Sequence, residues 1–192
     1  MNFLEKYKNS KNIRFPSFEF TLLECNKRGL KNLVETGTSR GKVKYFFFKK
    51  YNWKDGMSTI MFAEFAKYAN GMLHTCDISS QNIHNAKDFT KKFSNNVKYY
   101  IDDSVNFLKN FKNKIDFLYL DSLDGHDPIA ASQHQYNEIK HSINKLHQNS
   151  LVLLDDKGSK TNLSLKFLLE NNFKTIYETK YQILLSKLKN II

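Results

Sequence analysis

The chain has 192 residues, 41% of them hydrophobic and 14% aromatic, which fits one folded domain with a sizeable core and excludes a disordered chain. Its formal net charge is +11, but the basic residues are mostly lysines scattered along the sequence, so we expect a solvated surface rather than a nucleic-acid interface. No apolar run reaches the ~20 residues that a membrane span needs, and residues 1–10 lack the apolar core of a secretory signal, so a cytoplasmic protein without membrane contact is expected.

The first half of the chain predicts a helix, a strand and a glycine-containing turn, followed by an insertion. The helix covers residues 18–28 within an N-terminal extension of residues 1–29, and the strand runs through Leu33 and Val34. Residues 42–55 form the insertion, an aromatic and basic segment that is either a lid or an additional amphipathic helix. A helix over residues 58–69 and a strand over Met72–Asp77 continue the alternation of elements.

The second half continues this alternation without a linker or an internal repeat. Strands are predicted over residues 96–101, 115–121, 150–154, 173–177 and 181–185, and helices over residues 80–93, 105–111, 130–146 and 163–170. A turn too short for a crossover helix joins the last two strands, so they should pair antiparallel. The sequence therefore predicts a single α/β domain over residues 1–192. Its doubly wound, Rossmann-like sheet has seven strands and is mostly parallel, with a C-terminal antiparallel strand.

A glycine-containing turn follows the first strand in Glu35-Thr36-Gly37-Thr38-Ser39-Arg40-Gly41. Gly37 and Gly41 allow the backbone to turn sharply and to approach a ligand closely, and Glu35 is able to accept hydrogen bonds from a hydroxyl or a cation. Asp77 ends the next strand, where a carboxylate binds the ribose diol of a nucleotide in doubly wound sheets. The pattern indicates a nucleotide-type cofactor, although the glycine turn alone is equally typical of an ordinary strand-to-helix connection.

Acidic residues end each of the first five predicted strands, at Glu35, Asp77, Asp103, Asp121 and the pair Asp155-Asp156. Because the carboxyl ends of parallel strands meet at one edge of a sheet, these carboxylates should share one cleft. A single strand-end acid is commonly a helix cap, which is the alternative for Asp77 or Asp103. Five in succession repel one another, so the cleft should contain cations, hydroxyls or other donors.

In this order of motifs, residues 30–187 resemble the class I S-adenosylmethionine-dependent methyltransferases. Residues 35–41 resemble that family's first motif, Asp77 resembles its ribose-binding acid, and Asp103-Ser104 resembles the motif that faces the adenine. Because of the insertion, either Gly41, or Gly56 together with Ser58, would line the methionine end. The resemblance implies S-adenosylmethionine as the cofactor, bound by Glu35, Gly37, Thr38, Gly41, Ser58, Asp77, Asp103 and Ser104.

Within that class the chain is most similar to the metal-dependent small-molecule O-methyltransferases of the catechol and macrocin types. In those families an aspartate after the fourth strand and an acidic pair after the fifth hold a divalent ion, and Asp121, Asp155 and Asp156 match these places. Three oxygen ligands, with waters and substrate oxygens, suit Mg²⁺ or another divalent cation. The resemblance implies that the hydroxyl of a small acceptor binds this ion, with Asp121 as a catalytic metal ligand, loses its proton and attacks the sulfonium methyl. Without Asp121, the pair Asp155-Asp156 would be interpreted as a turn or a helix cap.

The general base of such a reaction is expected in the loop after the fourth strand. His126 and Asp124 are the candidates, and His126 is equally well interpreted as an exposed loop residue. A shifted alignment would make Asp124 a metal ligand in place of Asp121. The other histidines of this region are assigned to the surface of the following helix: His134, His141 and His147.

Two other functions stay open at this point. A nucleic-acid methyltransferase would use residues 42–53 for phosphate contacts and base stacking. A non-catalytic module would keep the fold and the cofactor without the chemistry. The aromatic residues 46–48 would bury themselves in a homodimer.

Overall fold

The protein alternates strands and helices along most of its length. The computed structural model describes residues 1–45 and 48–187. The strands in these ranges are β1 (Asn32–Thr36), β2 (Lys42–Tyr45), β3 (Phe48–Tyr51), β4 (Met72–Asp77), β5 (Val97–Ile101), β6 (Ile115–Leu120), β7 (Leu146–Leu154), β8 (Phe173–Glu178) and β9 (Ile183–Lys187). The helices are α1 (Phe15–Lys27), α2 (Ser58–Tyr68), α3 (Ser80–Phe89), α4 (Ser104–Asn110), α5 (Pro128–Ser142) and α6 (Asn162–Glu170). None of the helices in these ranges combines the length and the apolar character that crossing a bilayer requires.

Seven of the strands form one sheet in the order β5-β4-β1-β6-β7-β9-β8. The strands β5, β4, β1, β6 and β7 run parallel, whereas β9 pairs antiparallel with both β7 and β8. The predicted sheet, mostly parallel with a C-terminal antiparallel strand, is therefore confirmed. Because the strand order reverses between β1 and β6, a crevice forms at the carboxyl ends of these strands, where open α/β sheets bind ligands.

Apolar side chains fill both faces of the sheet, as expected where helices cover parallel strands on both sides. On β6, Phe117 and Tyr119 point to one face and form edge contacts with Phe62 of α2. Leu118 belongs to the separate cluster on the other face, together with Ile139 of α5. The two clusters hold the strands in register, so that the carboxyl ends of β1, β4 and β6 lie level with one another.

The insertion after the glycine turn forms a β-hairpin. β2 and β3 pair antiparallel, with Lys42 opposite Tyr51 and Tyr45 opposite Phe48. The alternative of an additional amphipathic helix is wrong, and over Lys42–Tyr45 the apolar residues stand at every second position, which is the period of a strand. Residues 46 and 47, at the centre of the predicted dimer contact, lie outside the described residues. The homodimer and the lid role of the insertion both stay predictions.

Two element boundaries near the end of the sheet differ from the prediction. α5 ends at Ser142, and β7 begins at Leu146 rather than at residue 150. His147 therefore lies on a strand, where its Nε2 atom is 2.8 Å from Oδ1 of Asp116 on the neighbouring strand. The assignment of His147 to a helix surface is wrong, because this pairing with Asp116 extends β7 towards its N-terminus.

Candidate active site

The turn after β1 is held against the neighbouring strand ends by its glycine and by hydrogen bonds. Gly37 has a φ of +80°, and a Cβ atom there would lie 2.1 Å from the backbone oxygen of Asp121, so that only glycine fits. The Gly37 N–H donates to the backbone oxygen of Cys76 at 2.9 Å, and the Thr38 N–H donates to Oδ2 of Asp77 at 3.1 Å. The turn therefore contacts the ends of both β4 and β6.

Glu35 lies beneath this turn and is fully buried. Its carboxylate accepts hydrogen bonds from the hydroxyls of Ser58 at 2.6 Å, Thr59 at 2.8 Å and Thr75 at 2.7 Å. Burial raises the pKa of Glu35 to about 7, although the three hydroxyls oppose this shift. Glu35 is not among the described residues that line the cavity at the strand ends. Its contacts instead tie the start of α2 to β1 and β4.

A cavity of about 530 Å³ opens at the carboxyl ends of β1, β4 and β6, which is a usual volume for a small-molecule site. A smaller cavity of about 240 Å³ adjoins it and shares Gly37, Asp77 and Ser122 in its wall. The structure brings most of the predicted site residues into these walls: Gly37, Thr38, Ser58, Asp77, Asp121, Asp124 and His126 in the larger cavity, and Asp103 and Ser104 in the smaller one. Gly41 lies elsewhere, where an added Cβ atom would be 2.5 Å from the ring of Phe89.

Asp77 is fixed in the cavity wall by donors on the following residues. The Ser79 N–H donates to its Oδ1 at 2.8 Å, and the side-chain amide of Asn82 donates to its Oδ2 at 3.1 Å. The N-cap of α3 is Ser79, so a helix-cap role does not explain the Asp77 carboxylate. Asp103, in contrast, is the N-cap of α4 and accepts a hydrogen bond from the Asn106 N–H at 2.9 Å. Of the two acids, Asp77 is the one that lines both cavities and is not the N-cap of a helix.

A cluster of three aspartates follows β6 and β7. Asp121, Asp155 and Asp156 each place a carboxylate oxygen within 4.8 Å of the others. Arg14, just before α1, donates from Nε to both oxygens of Asp155 at 2.7 and 3.0 Å, and from Nη2 to Oδ1 of Asp156 at 2.9 Å. Lys160 donates from Nζ to Oδ1 of Asp121 at 2.9 Å and lies 3.1 Å from Oδ2 of Asp156. Two cations therefore pair with the three carboxylates.

The charges of this cluster shift the pKa values of its members. Burial and the negative charge of Asp121 raise the pKa of Asp155. Burial also acts to raise the pKa of Asp121, but the positive charges of Lys160 and Arg14 and the hydrogen bonds from Asp155 and Lys160 together outweigh it and lower that pKa. Burial acts to lower the pKa of Lys160, and the surrounding carboxylates reverse this effect and raise it. Lys160 is therefore a cation and Asp121 an anion at neutral pH.

A comparison with models of protein families shows to which family the chain belongs. The family model described as "Methyltransferase domain" matches residues 53–157, which is more than half of the chain. The chain belongs to this methyltransferase family. The matched residues of the methyltransferase run from the end of the insertion to the aspartate pair and include Ser58, Asp77, Asp121 and Asp155. No curated protein sequence matches the chain significantly.

Solved structures share the fold of the methyltransferase at low sequence identity. SMU.1697c from Streptococcus mutans, in complex with SAH, is 14% identical, with a TM-score of 0.60 over 88% of this chain and 97% of that one. The SAH-bound methyltransferase PaMTH1 from Podospora anserina is 12% identical, with a TM-score of 0.64 over 96% and 81%. The SAM-dependent O-methyltransferase from Thermotoga maritima is 13% identical, with a TM-score of 0.62 over 91% and 66%. Proteins named as rRNA methylases are also among the matches, so the likeness does not define an acceptor.

The predicted Mg²⁺ site of the methyltransferase has the right donor chemistry, since hard divalent ions take oxygen ligands. Every carboxylate oxygen of the cluster, however, already has a protein donor within 3.1 Å. Five of them face Arg14 or Lys160, and Oδ2 of Asp121 accepts a hydrogen bond from the Tyr119 hydroxyl. A divalent ion would have to displace two cations that are held at hydrogen-bond distance. The arrangement of donors therefore does not fit a Mg²⁺ ion.

The candidate bases of the methyltransferase lie in the loop between β6 and α5. His126 is exposed and lines the larger cavity. Asp124 is also exposed, and both of its oxygens accept hydrogen bonds from Nη2 of Arg40, at 2.8 and 2.7 Å. His134 is not a surface residue as assigned, because its Nε2 atom lies 2.8 Å from Oγ of Ser104 and its ring lines the smaller cavity. The first turns of α5 thus face the cleft.

Sequence reasoning missed three residues of the methyltransferase site: Arg14, Lys160 and His134. Arg14 lies 141 residues from Asp155, so that no local motif connects them. The pairing of Lys160 with Asp156 could have been predicted, because Lys160 follows Asp156 by four residues, a spacing at which oppositely charged side chains often pair. His134 likewise stands four residues before Glu138, a fully buried acid on the same side of α5.

Proposed function

We propose that the chain is an S-adenosylmethionine-dependent methyltransferase of class I that methylates a hydroxyl group of a small acceptor. The observation that carries the proposal is the Asp77 carboxylate, which is oriented in the cavity wall and does not cap a helix. The family match supports methyl transfer. SAH in the structures of SMU.1697c and PaMTH1 supports the same cofactor here.

The two cavities suggest how the cofactor would lie. The ribose diol would meet Asp77, where the wall is shared by both cavities. The adenine would enter the smaller cavity beside Asp103 and Ser104, and the methionine end would lie in the larger one, near Ser58. The sulfonium methyl would then face the wall that contains Asp121.

In the proposed reaction the acceptor hydroxyl gives its proton to a base and its oxygen attacks the methyl carbon. The carbon–sulfur bond breaks, and the sulfur keeps the electron pair and leaves as the thioether of S-adenosylhomocysteine. We propose His126 as the base, because it lines the cavity, whereas the oxygens of Asp124 are engaged by Arg40. Holding donor and acceptor together would supply much of the acceleration, up to about 10 kcal/mol.

The experiment that tests this proposal is a calorimetric titration of the protein with S-adenosylhomocysteine. We expect binding by the wild type and affinity weaker by about tenfold or more in Asp77→Asn, because the diol loses a charged hydrogen-bond acceptor. Asp102→Asn is the matched control, since Asp102 follows the next strand and is not among the residues lining either cavity. Absence of binding by the wild type would refute the proposal. Radiolabelled S-adenosylmethionine with a panel of hydroxylated compounds then tests the acceptor class.

A second candidate is methylation of a nucleic acid, and one observation favours it. A hollow of about 700 Å³ lies beside the glycine turn, between the N-terminal segment and the end of α3. Its wall contains aromatic side chains and lysines: Tyr7, Tyr51, Trp53, Phe89, Phe93, Lys6, Lys91 and Lys92. Bases stack on such aromatic surfaces and phosphates bind such lysines. Fluorescence anisotropy with a single-stranded oligonucleotide distinguishes the candidates: affinity that falls steeply with salt and is lost in Trp53→Ala would favour a nucleic acid.

A further inference from the structure

The ammonium group of Lys160 lies between Asp121 and Asp156 of the aspartate cluster. It is almost fully buried, with 2% of the side chain exposed. Its Nζ atom lies 2.9 Å from Oδ1 of Asp121, 3.1 Å from Oδ2 of Asp156 and 2.9 Å from the backbone oxygen of Leu123. An ammonium group has three hydrogens, and all three have an acceptor here. Lys160 therefore has no hydrogen left for a substrate, and it bridges two strand ends as a fixed positive charge.

Arg14 completes the same cluster from the N-terminal extension. Its guanidinium group engages both oxygens of Asp155, which is fully buried, and Oδ1 of Asp156. Its Nη1 atom donates to the backbone oxygen of Lys54 in the insertion, at 3.1 Å. Arginine is suited to such buried pairs because its planar group donates in a fixed fork. One side chain thus connects the N-terminal extension, the insertion and the end of β7.

The charge balance of the cluster is already close to neutral. Three carboxylates carry at most three negative charges, and Lys160 and Arg14 supply two positive charges. A further divalent ion would make this partly buried cluster positive, unless it displaced one of these cations. Mg²⁺ also requires a near-ideal octahedron of oxygens at about 2.0–2.1 Å, and every carboxylate oxygen here is directed at a protein donor.

We propose that Lys160 and Arg14 are the resident cations of this cluster, and that they take the place that a divalent ion has in metal-dependent methyltransferases. Methyl transfer by this chain then needs no divalent metal. Lys160 acts as a positioning residue that holds Asp121 in the cavity wall, and it is not a base. The statement about turnover rests on the proposed function, whereas the statement about metal binding does not.

The test is Mn²⁺ binding to the metal-free protein, followed by electron paramagnetic resonance of the free ion. We expect no binding by the wild type up to millimolar Mn²⁺. In Lys160→Met the flexible apolar side chain fills the space of the lysine without its charge, and we expect Mn²⁺ affinity to increase by about tenfold or more. Lys157→Met is the matched control: Lys157 lies three residues earlier and pairs with Glu178 at the surface, so this variant should bind no Mn²⁺.

Two results would overturn the proposal. One is wild-type binding of Mn²⁺ below millimolar concentration that disappears in Asp156→Asn, because the cluster would then be a metal site. The other is a folded Lys160→Met variant that binds no Mn²⁺, because Lys160 would then not be what excludes the ion. If Lys160→Met does not fold, the wild-type measurement still decides. A parallel titration with S-adenosylhomocysteine, with and without EDTA, separates the failure of this proposal from the failure of the proposed function.

Discussion

Glu35 offers a quantitative test of the site's electrostatics, because it is fully buried and carries a raised pKa. The pKa rises from 4.5 to about 7 through burial, and the negative charge of Asp121 adds to the shift. Below pH 4.5 both the folded and the unfolded chain hold the proton. Between pH 4.5 and 7 the folded chain holds it and the unfolded chain has lost it, so the free energy of unfolding falls as the pH rises through this window.

The size of this loss follows from the shift. At about 1.36 kcal/mol per unit, the change from 4.5 to about 7 corresponds to about 3 kcal/mol of stability lost by the time the pH exceeds 7. Because no part of Glu35 is exposed, solvent does not screen this contribution. Glu35→Gln keeps the shape and cannot ionise. We expect no such decrease in the variant. The difference in free energy of unfolding between the variant and the wild type should therefore shift by about 3 kcal/mol in favour of the variant between pH 4.5 and 8.

Urea unfolding of both proteins at a series of pH values measures this difference. Glu170→Gln is the control, since Glu170 is an exposed glutamate at the end of α6 and its replacement should leave the pH profile unchanged. Equal pH profiles for the wild type and Glu35→Gln would refute the reasoning. They would mean that the hydroxyls of Ser58, Thr59 and Thr75 stabilise the ionised carboxylate enough to cancel the effect of burial.

Two further substitutions test the glycine turn and the loop beside it. In Gly37→Ala the new Cβ atom would lie 2.1 Å from the backbone oxygen of Asp121. We therefore expect the free energy of unfolding to fall by more than about 2 kcal/mol and S-adenosylhomocysteine binding to be lost. The control is Gly158→Ala, which has a similar φ of +87° and no atom nearby and should lower the free energy of unfolding by about 1 kcal/mol. Thermal unfolding and calorimetry measure both effects, and equal losses in the two variants would contradict the steric argument. Arg40→Ala removes an exposed ion pair with Asp124, and we expect a change in unfolding free energy below about 1 kcal/mol that disappears at high salt. A larger, salt-independent loss would show that Arg40 does more than pair with Asp124.

The order of elements was predictable from the sequence because each strand is a short apolar run that ends in an acid or a turn. The hairpin of the insertion was not predictable, because the apolar residues of this aromatic and basic segment have spacings that fit both a helix and a strand. The start of β7 was missed for a different reason. His147 is polar, and it pairs in the strand with Asp116 on β6, a contact that no local sequence pattern predicts.

In the candidate site, too, some features were predictable from the sequence and others were not. Strand ends were predictable, so Asp77, Asp121 and Asp155 were located by their positions after apolar runs. The charge and hydrogen bonding of each carboxylate depend on partner residues that lie elsewhere in the chain. Glu35 resembles a cofactor ligand in sequence, but in the structure three hydroxyls engage it below the turn. Asp103 is a helix cap as well as part of the cavity wall.

The cation that neutralises the aspartate cluster is therefore not determined by the motifs that place the aspartates. By the proposal above, a chain with the same acids after β6 and β7 but no lysine at position 160 leaves Oδ1 of Asp121 and Oδ2 of Asp156 without this ammonium group, and there we expect a divalent ion to bind. Here the lysine arrives from the turn before α6, and Arg14 arrives from the N-terminal extension. Because both cations are bound to Asp156, and Arg14 is also bound to Asp155 and to the insertion, the wall of the cleft at Asp121 depends on segments that lie outside the strand-end motifs.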